Sequence, residues 1–212
     1  MTAAVELRPQ LAAAAEWRLL ALLLSRPREG WADQIRSMAS EVGDDLRTAA
    51  AGAPSASEGA YHALLGPGGA ASPREAAHAG FVDPGRILAD LAARYEAFAF
   101  RPSSEEPADH LAVECDFVSY LFLKEAYAIA GGAGAAAEIA REERARFIEE
   151  HVAVAGHGLA RHMPPHAPEY LARAALALSA RLPEPSPAPA GARDDDPLEG
   201  GCPASCTIDC TR

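Results

Sequence analysis

The chain has 212 residues, 49% of them hydrophobic but only 6% aromatic, and a formal net charge of -11. That length supports one good core, and the alanine that fills much of the apolar share favours close-packed helices over sheet. The acidity excludes a nucleic-acid binder, whose partner phosphates need a basic surface, and suits a basic partner instead.

In chain order, residues 8–25 read as a first helix, with Leu11, Ala15, Leu19, Leu22 and Leu23 near one face. Its apolar run from Leu19 to Leu24 is preceded by Glu16 and Arg18 and followed by Arg26-Pro27-Arg28, so it does not read as a secretory signal. Nothing approaches the ~20 apolar residues that span a bilayer. The expectation is a cytoplasmic chain without stable membrane insertion, its cysteines reduced thiols or metal ligands.

A second helix is predicted from Trp31, carrying Ile35, Met38, Val42 and Leu46 at helical spacing. After a Gly52–Ser57 loop, a short third helix carries Tyr61, Leu64 and Leu65 and stops at Gly66-Pro67-Gly68-Gly69. Residues 66–82 are irregular, a length of loop that is often functional. Asp83-Pro84 starts a helix with Ile87, Leu88, Leu91, Tyr95 and Phe98 on its buried face.

The next helix is predicted from Pro107 to Ala130, with Leu111, Cys115, Val118, Phe122, Ala126 and Ile129 as one buried stripe. Glycines at 131–134 break it, a further helix runs to Met163, and Pro168 opens a last one through Leu182. No strand pattern and no internal repeat is present. The predicted fold is all-α, a single helical domain of about seven helices over residues 1–182. Residues 183–212 form a Pro/Asp-rich linker and a Cys-containing tail, read as disordered.

Enzymatic signatures are missing: there is no G-x-S-x-G elbow, P-loop or dinucleotide fingerprint. Only Glu75-x-x-His78 has the E-x-x-H spacing of a helical di-iron site, and it falls in the loop region. His151, His157, His162 and His166 are read as surface or helix-end residues. Carboxylates are dense around the start of the 107–130 helix: Glu105, Glu106, Asp109, Glu114 and Asp116. The helix dipole accounts for Glu105 and Glu106 alone. His110 and Glu114, four apart, face the same way. They read either as a structural polar pair or as a ligand-facing cluster at the mouth of a groove.

The run Glu106-Pro107-x-Asp109-His110-Leu111-x-x-Glu114 closely resembles the E-P-x-D-H-L-x-x-E signature of the TorD/DmsD family, cytoplasmic chaperones for maturing molybdenum-cofactor enzymes. Tyr61-x-x-Leu64-Leu65-Gly66-Pro67-Gly68 and Phe147-x-x-Glu150-His151-Val152 resemble two further segments of that family. The resemblance spans residues 10–182. It departs where a tryptophan is expected after His151, at Ala155 and Gly156, and in the extra cysteine tail.

This resemblance implies an all-helical, non-enzymatic chaperone without a resident cofactor, as a monomer or a domain-swapped dimer. Its partner would be the apo catalytic subunit of a molybdopterin oxidoreductase, together with that subunit's twin-arginine signal peptide. The implied binding residues are Glu106, Pro107, Asp109, His110, Leu111, Glu114 and Asp116, with Tyr61, Gly66 and Pro67. Acids would attract and pair the arginines. An apolar groove would take the rest of the peptide, with Tyr61, Leu64, Tyr95 and Phe98 either lining it or belonging to the core.

Cys202, Cys206 and Cys210 stand in a C-x3-C-x3-C pattern that lacks the second pair of a zinc finger. On a helix the three thiols would share a face and could hold a soft metal or part of an iron–sulfur cluster, given a fourth ligand from elsewhere. Cys115 looks buried and unsuited to that role. The rival function is therefore a small helical metal-binding or metal-delivery protein, and the plainer reading of the tail is incidental thiols.

Overall fold

A computed structural model describes residues 3–184, so the linker beyond Glu184 and the three tail cysteines lie outside the described residues. The helices are α1 (Ala3–Leu23), α2 (Trp31–Met38), α3 (Asp44–Ala51), α4 (Glu58–Leu65), α5 (Pro84–Ala97), α6 (Leu111–Ala130), α7 (Gly134–Phe147), α8 (Ala153–His162) and α9 (Glu169–Ser179). There is no strand among the described residues, and they form a single helical domain.

Two of the seven predicted helices are each divided. The 31–46 pattern breaks where Val42 adopts an extended conformation (φ -122°, ψ 166°) after a 3-10 turn at Ala39–Glu41. Val42 and Leu46 are both still buried, so the apolar spacing is real although the helix is not continuous. Asp44 and Asp45 open α3, where carboxylates suit the positive helix end. The second division is a π turn, Ile148–Val152, which joins α7 to α8 with helical backbone angles on both sides. Asp83 caps α5 as its sequence predicts, accepting a hydrogen bond from the Gly85 N–H at 2.9 Å, with Pro84 in the first turn.

Helix α6 is the centre of the fold. From Leu111 to Leu121 almost every side chain is buried, including Val113, Cys115, Phe117 and Val118, the pattern of a helix surrounded on all sides. It packs most extensively against α1, which runs antiparallel to it. Ser119 Oγ donates to the Ala14 carbonyl at 2.8 Å, and Arg18 pairs with Asp116 one turn away. Phe117 is the hub of an aromatic cluster, 4.7 Å between centroids from Phe147, 4.8 Å from Tyr95 and 5.2 Å from Phe100. Tyr61, Leu64 and Tyr95 are buried core residues and Phe98 is half-buried, so these four do not form an exposed apolar wall. No helix among the described residues is long and apolar enough to cross a membrane.

Removing the hub should cost more than an ordinary core truncation, because five aromatic rings pack around it or each other. Phe117→Ala is expected to lower unfolding stability by about 3–5 kcal/mol, read as a shifted urea midpoint with the helical circular-dichroism signal retained at low denaturant.

Candidate functional site

The acidic segment is built differently from its helical pattern. Helix α6 starts at Leu111, and Pro107, exposed, lies in the turn before it, with the His110 N–H bonded to the Pro107 carbonyl at 3.0 Å. The segment leaves helical geometry because it pairs with the 66–82 loop. The Glu75 N–H donates to the Asp109 carbonyl (2.9 Å) and the Leu111 N–H to the Pro73 carbonyl (2.9 Å), an antiparallel bridge centred on Arg74 and His110.

Side chains reinforce that clasp. Asp109 has no solvent exposure; its Oδ1 accepts from Arg74 Nε at 2.6 Å and its Oδ2 from the Ala76 N–H at 3.4 Å. His110 caps α6, its Nδ1 accepting the Ala112 N–H at 3.1 Å. That bond places the ring proton on Nε2, which donates to Tyr61 Oη at 3.1 Å, while the Tyr61 hydroxyl donates to the Leu24 carbonyl at 3.2 Å. A relay of fixed polarity thus links α6, α4 and the end of α1. Burial, and secondarily the Arg74 charge, lower the His110 pKa to about 4, in keeping with the neutral tautomer.

Glu114 lies one turn into α6 with no exposure and no hydrogen-bond partner on either oxygen among the described residues. It does not pair with His110. Burial first, then the nearby Glu75 and Asp109 carboxylates, push its pKa well above the usual value, so the group is kept as a neutral acid. Asp109, Leu111 and Glu114 are therefore interior groups and not the mouth of a groove, and His110 is buried as well. Asp116 is half-buried and engaged by Arg18.

The π turn supplies the third segment of the network. His151 is buried, contrary to its reading as a surface residue, and bridges Glu75 Oε2 (3.0 Å) and Asp90 Oδ2 (2.9 Å). Phe147 packs in the aromatic hub, and Glu150 pairs with Arg94, which also reaches Asp90 and Glu143. Glu75 stands out in sequence only for a histidine three residues on. Its actual partner is 76 residues away, and nothing local announces that pairing.

Above this scaffold a cavity of ≈ 380 Å³ opens. Its walls are the end of α4 with the turn from Gly66 to Gly69, the segment of Glu105, Glu106 and Pro107, and the Tyr61–His110 pair, with Arg26 and Arg74 alongside. A Cβ on Gly66 would sit 2.4 Å from the His62 carbonyl oxygen, so only glycine permits this tight wall. Pro67 and Glu105 are exposed and Glu106 is half-buried, with its Oε2 3.9 Å from His110 Nε2. Of the sequence-predicted binding residues, the cavity gathers Tyr61, Gly66, Pro67, Glu106, Pro107 and His110. Asp109, Leu111, Glu114 and Asp116 do not line it. Among the described residues no group of three or more His, Cys, Asp or Glu side chains is arranged to hold a metal ion.

A family model described as nitrate reductase delta subunit matches residues 25–154, more than half of the chain and all three motif segments. The chain belongs to the nitrate reductase delta subunit family. This is a TorD-like family of molybdoenzyme maturation chaperones, assembly factors and not catalysts, whose partner is the catalytic subunit of a nitrate-reductase-type molybdoenzyme. No curated protein and no solved structure shows significant similarity to the chain.

Two pH effects of opposite sign follow from the delta-subunit scaffold. Glu114, neutral when folded, contributes stability that is full below the ordinary carboxyl pKa and is lost as pH rises. Glu114→Gln should therefore melt higher than the wild type at pH 7–8, the two converging as the pH falls toward about 4.5. His110 acts in reverse: its contribution is full above about pH 6.5 and is lost as pH falls toward about 4. An NMR titration of its ring should show a midpoint near 4; a midpoint near 6.5 would mean the relay is not formed.

Proposed function

We propose that the cleft between the turn from Gly66 to Gly69 and the segment of Glu105, Glu106 and Pro107 binds the arginine-bearing leader of an apo molybdopterin oxidoreductase subunit in the cytoplasm, holding that subunit while its cofactor is inserted. The observation that carries this reading is the division of labour among the acids. Glu105 and Glu106 reach the cavity, while Asp109 and Glu114 are fully buried and do not line it. A guanidinium entering the cleft meets Glu106 on the wall and Glu105 at the rim. Among the described residues Glu105 is held by an exposed Arg26 contact at 3.6 Å, which costs little to exchange for another arginine. The apolar faces of Leu65, Pro67, Pro73 and Pro107 line the same space and suit the uncharged part of a leader.

Charge-assisted hydrogen bonds to arginine are worth about 1.5–3 kcal/mol each. Replacing Glu105 and Glu106 together by Gln is expected to weaken a synthetic peptide of two adjacent arginines followed by an apolar stretch by roughly ten- to a hundredfold. Calorimetry at two ionic strengths should show the wild-type affinity falling with salt more steeply than the variant's. Asp109→Asn should instead lower the melting midpoint through the Arg74 clasp. Unchanged peptide affinity in the Glu105/Glu106 variant would place the leader elsewhere.

A further inference from the structure

Two arginines line the cavity of ≈ 380 Å³, and they are held in different ways. Arg26 reaches Glu58 and Glu105 at 3.5 and 3.6 Å, long contacts between side chains open to solvent. Arg74 is anchored through Nε, 2.6 Å from Oδ1 of the fully buried Asp109, while its side chain stays 39% exposed. Neither Nη1 nor Nη2 of Arg74 has a hydrogen-bond partner among the described residues. A guanidinium is rigid and planar, so anchoring one nitrogen on a buried carboxylate leaves a preset fork of N–H donors on the other two.

The backbone sets a second donor beside this fork. Arg74 is extended (φ -90°, ψ 130°), and in an extended segment residues two apart face the same way. Burial alternates to match: Ala71, Pro73 and Glu75 are buried, whereas Ser72 and Arg74 are half-buried and on the cavity wall. Ser72 Oγ accepts the Arg74 N–H at 3.2 Å, and its own O–H has no acceptor among the described residues. The wall thus offers N–H and O–H donors that nothing described in the protein uses.

Such donors fit an oxyanion, and a carboxylate matches the guanidinium fork in shape. The other wall decides what must accompany it. Glu105 and Glu106 share the cavity, and the chain carries a net charge of -11, so a lone anion is repelled. A ligand that brings both a guanidinium and a carboxylate satisfies both walls. We propose that Arg74 and Ser72 form an oxyanion subsite that takes an Asp or Glu side chain close to the arginines of the bound segment. The cleft then selects a segment of mixed charge over a purely basic one. The arginine half of this specificity rests on the leader reading above; the carboxylate half rests on Ser72 and Arg74.

The probes are synthetic peptides of two adjacent arginines followed by an apolar stretch, with Glu or its isostere Gln placed at one flanking position at a time. Calorimetry on the full chain should find a position at which the Glu peptide binds roughly five- to tenfold more tightly than its Gln partner. The acidic protein disfavours any added negative charge at long range, so a preference of this sign reports a local contact. Arg74→Lys keeps a positive charge for Asp109 but removes the fork, and should bring the Glu/Gln ratio close to one. Ser72→Ala should reduce the ratio, and it carries the comparison if the melting curve of Arg74→Lys shows a folding defect. A further arm needs no leader. The Arg74 Nε–H signal of isotope-labelled protein, identified by its loss in Arg74→Lys, should shift with sodium acetate and not with sodium chloride at equal ionic strength. Equal affinity of Glu and Gln peptides at every position, or a Glu preference that survives in the folded variants, overturns the subsite and leaves the arginine reading intact. If no peptide of the series binds, the leader reading falls, and the subsite stands or falls on the acetate shift.

Discussion

The short antiparallel clasp between residues 73–75 and 109–111 is the constraint on which the rest of this structure depends. Two backbone hydrogen bonds and the Arg74–Asp109 ion pair close the long 66–82 loop onto the first turn of α6. Closing it has three consequences. It ends the helix at Leu111 and leaves His110 as the cap; it sets one wall of the cavity; and it presents Glu75 to His151 in the π turn. Segments near residues 61, 75, 110 and 151 thereby become one polar network around α6, although they are spread over 90 residues of sequence.

That network sits in an interior that is costly for charge. It manages the cost by different means at each position. Asp109 has a guanidinium and a backbone N–H; His110 has a relay of fixed polarity; Glu114 has neither and is held neutral. These buried groups are fixed within the fold, while exposed Glu105 and half-buried Glu106 line the cavity. Under the proposed leader binding, release would break rim contacts and leave the scaffold intact.

The fold class was legible from alanine content, helical spacing and the absence of alternating patterns, and the helix starts at Asp83-Pro84 and the stop at the glycines after Ala130 stand where the sequence puts them. Boundaries failed where tertiary pairing competed with local propensity. Pro107 is a good first helical residue, but the 107–110 segment is bound to the loop instead. The 31–46 pattern kept its buried positions while its backbone broke at Val42. The burial of the motif residues was not legible, because acids near a helix start look alike in sequence whether they meet solvent or the core.

By itself the sequence determined the helical class and the family signature, since these depend on local periodicity and on short motifs. Only the tertiary structure decided which of those acids are buried. It also brought His151 to Glu75 and Asp90, and set the tautomer of His110 through the Ala112 N–H. The physical reason is the same in each case: burial, pairing and tautomer are set by groups far away in the chain, and a one-dimensional pattern carries no record of them.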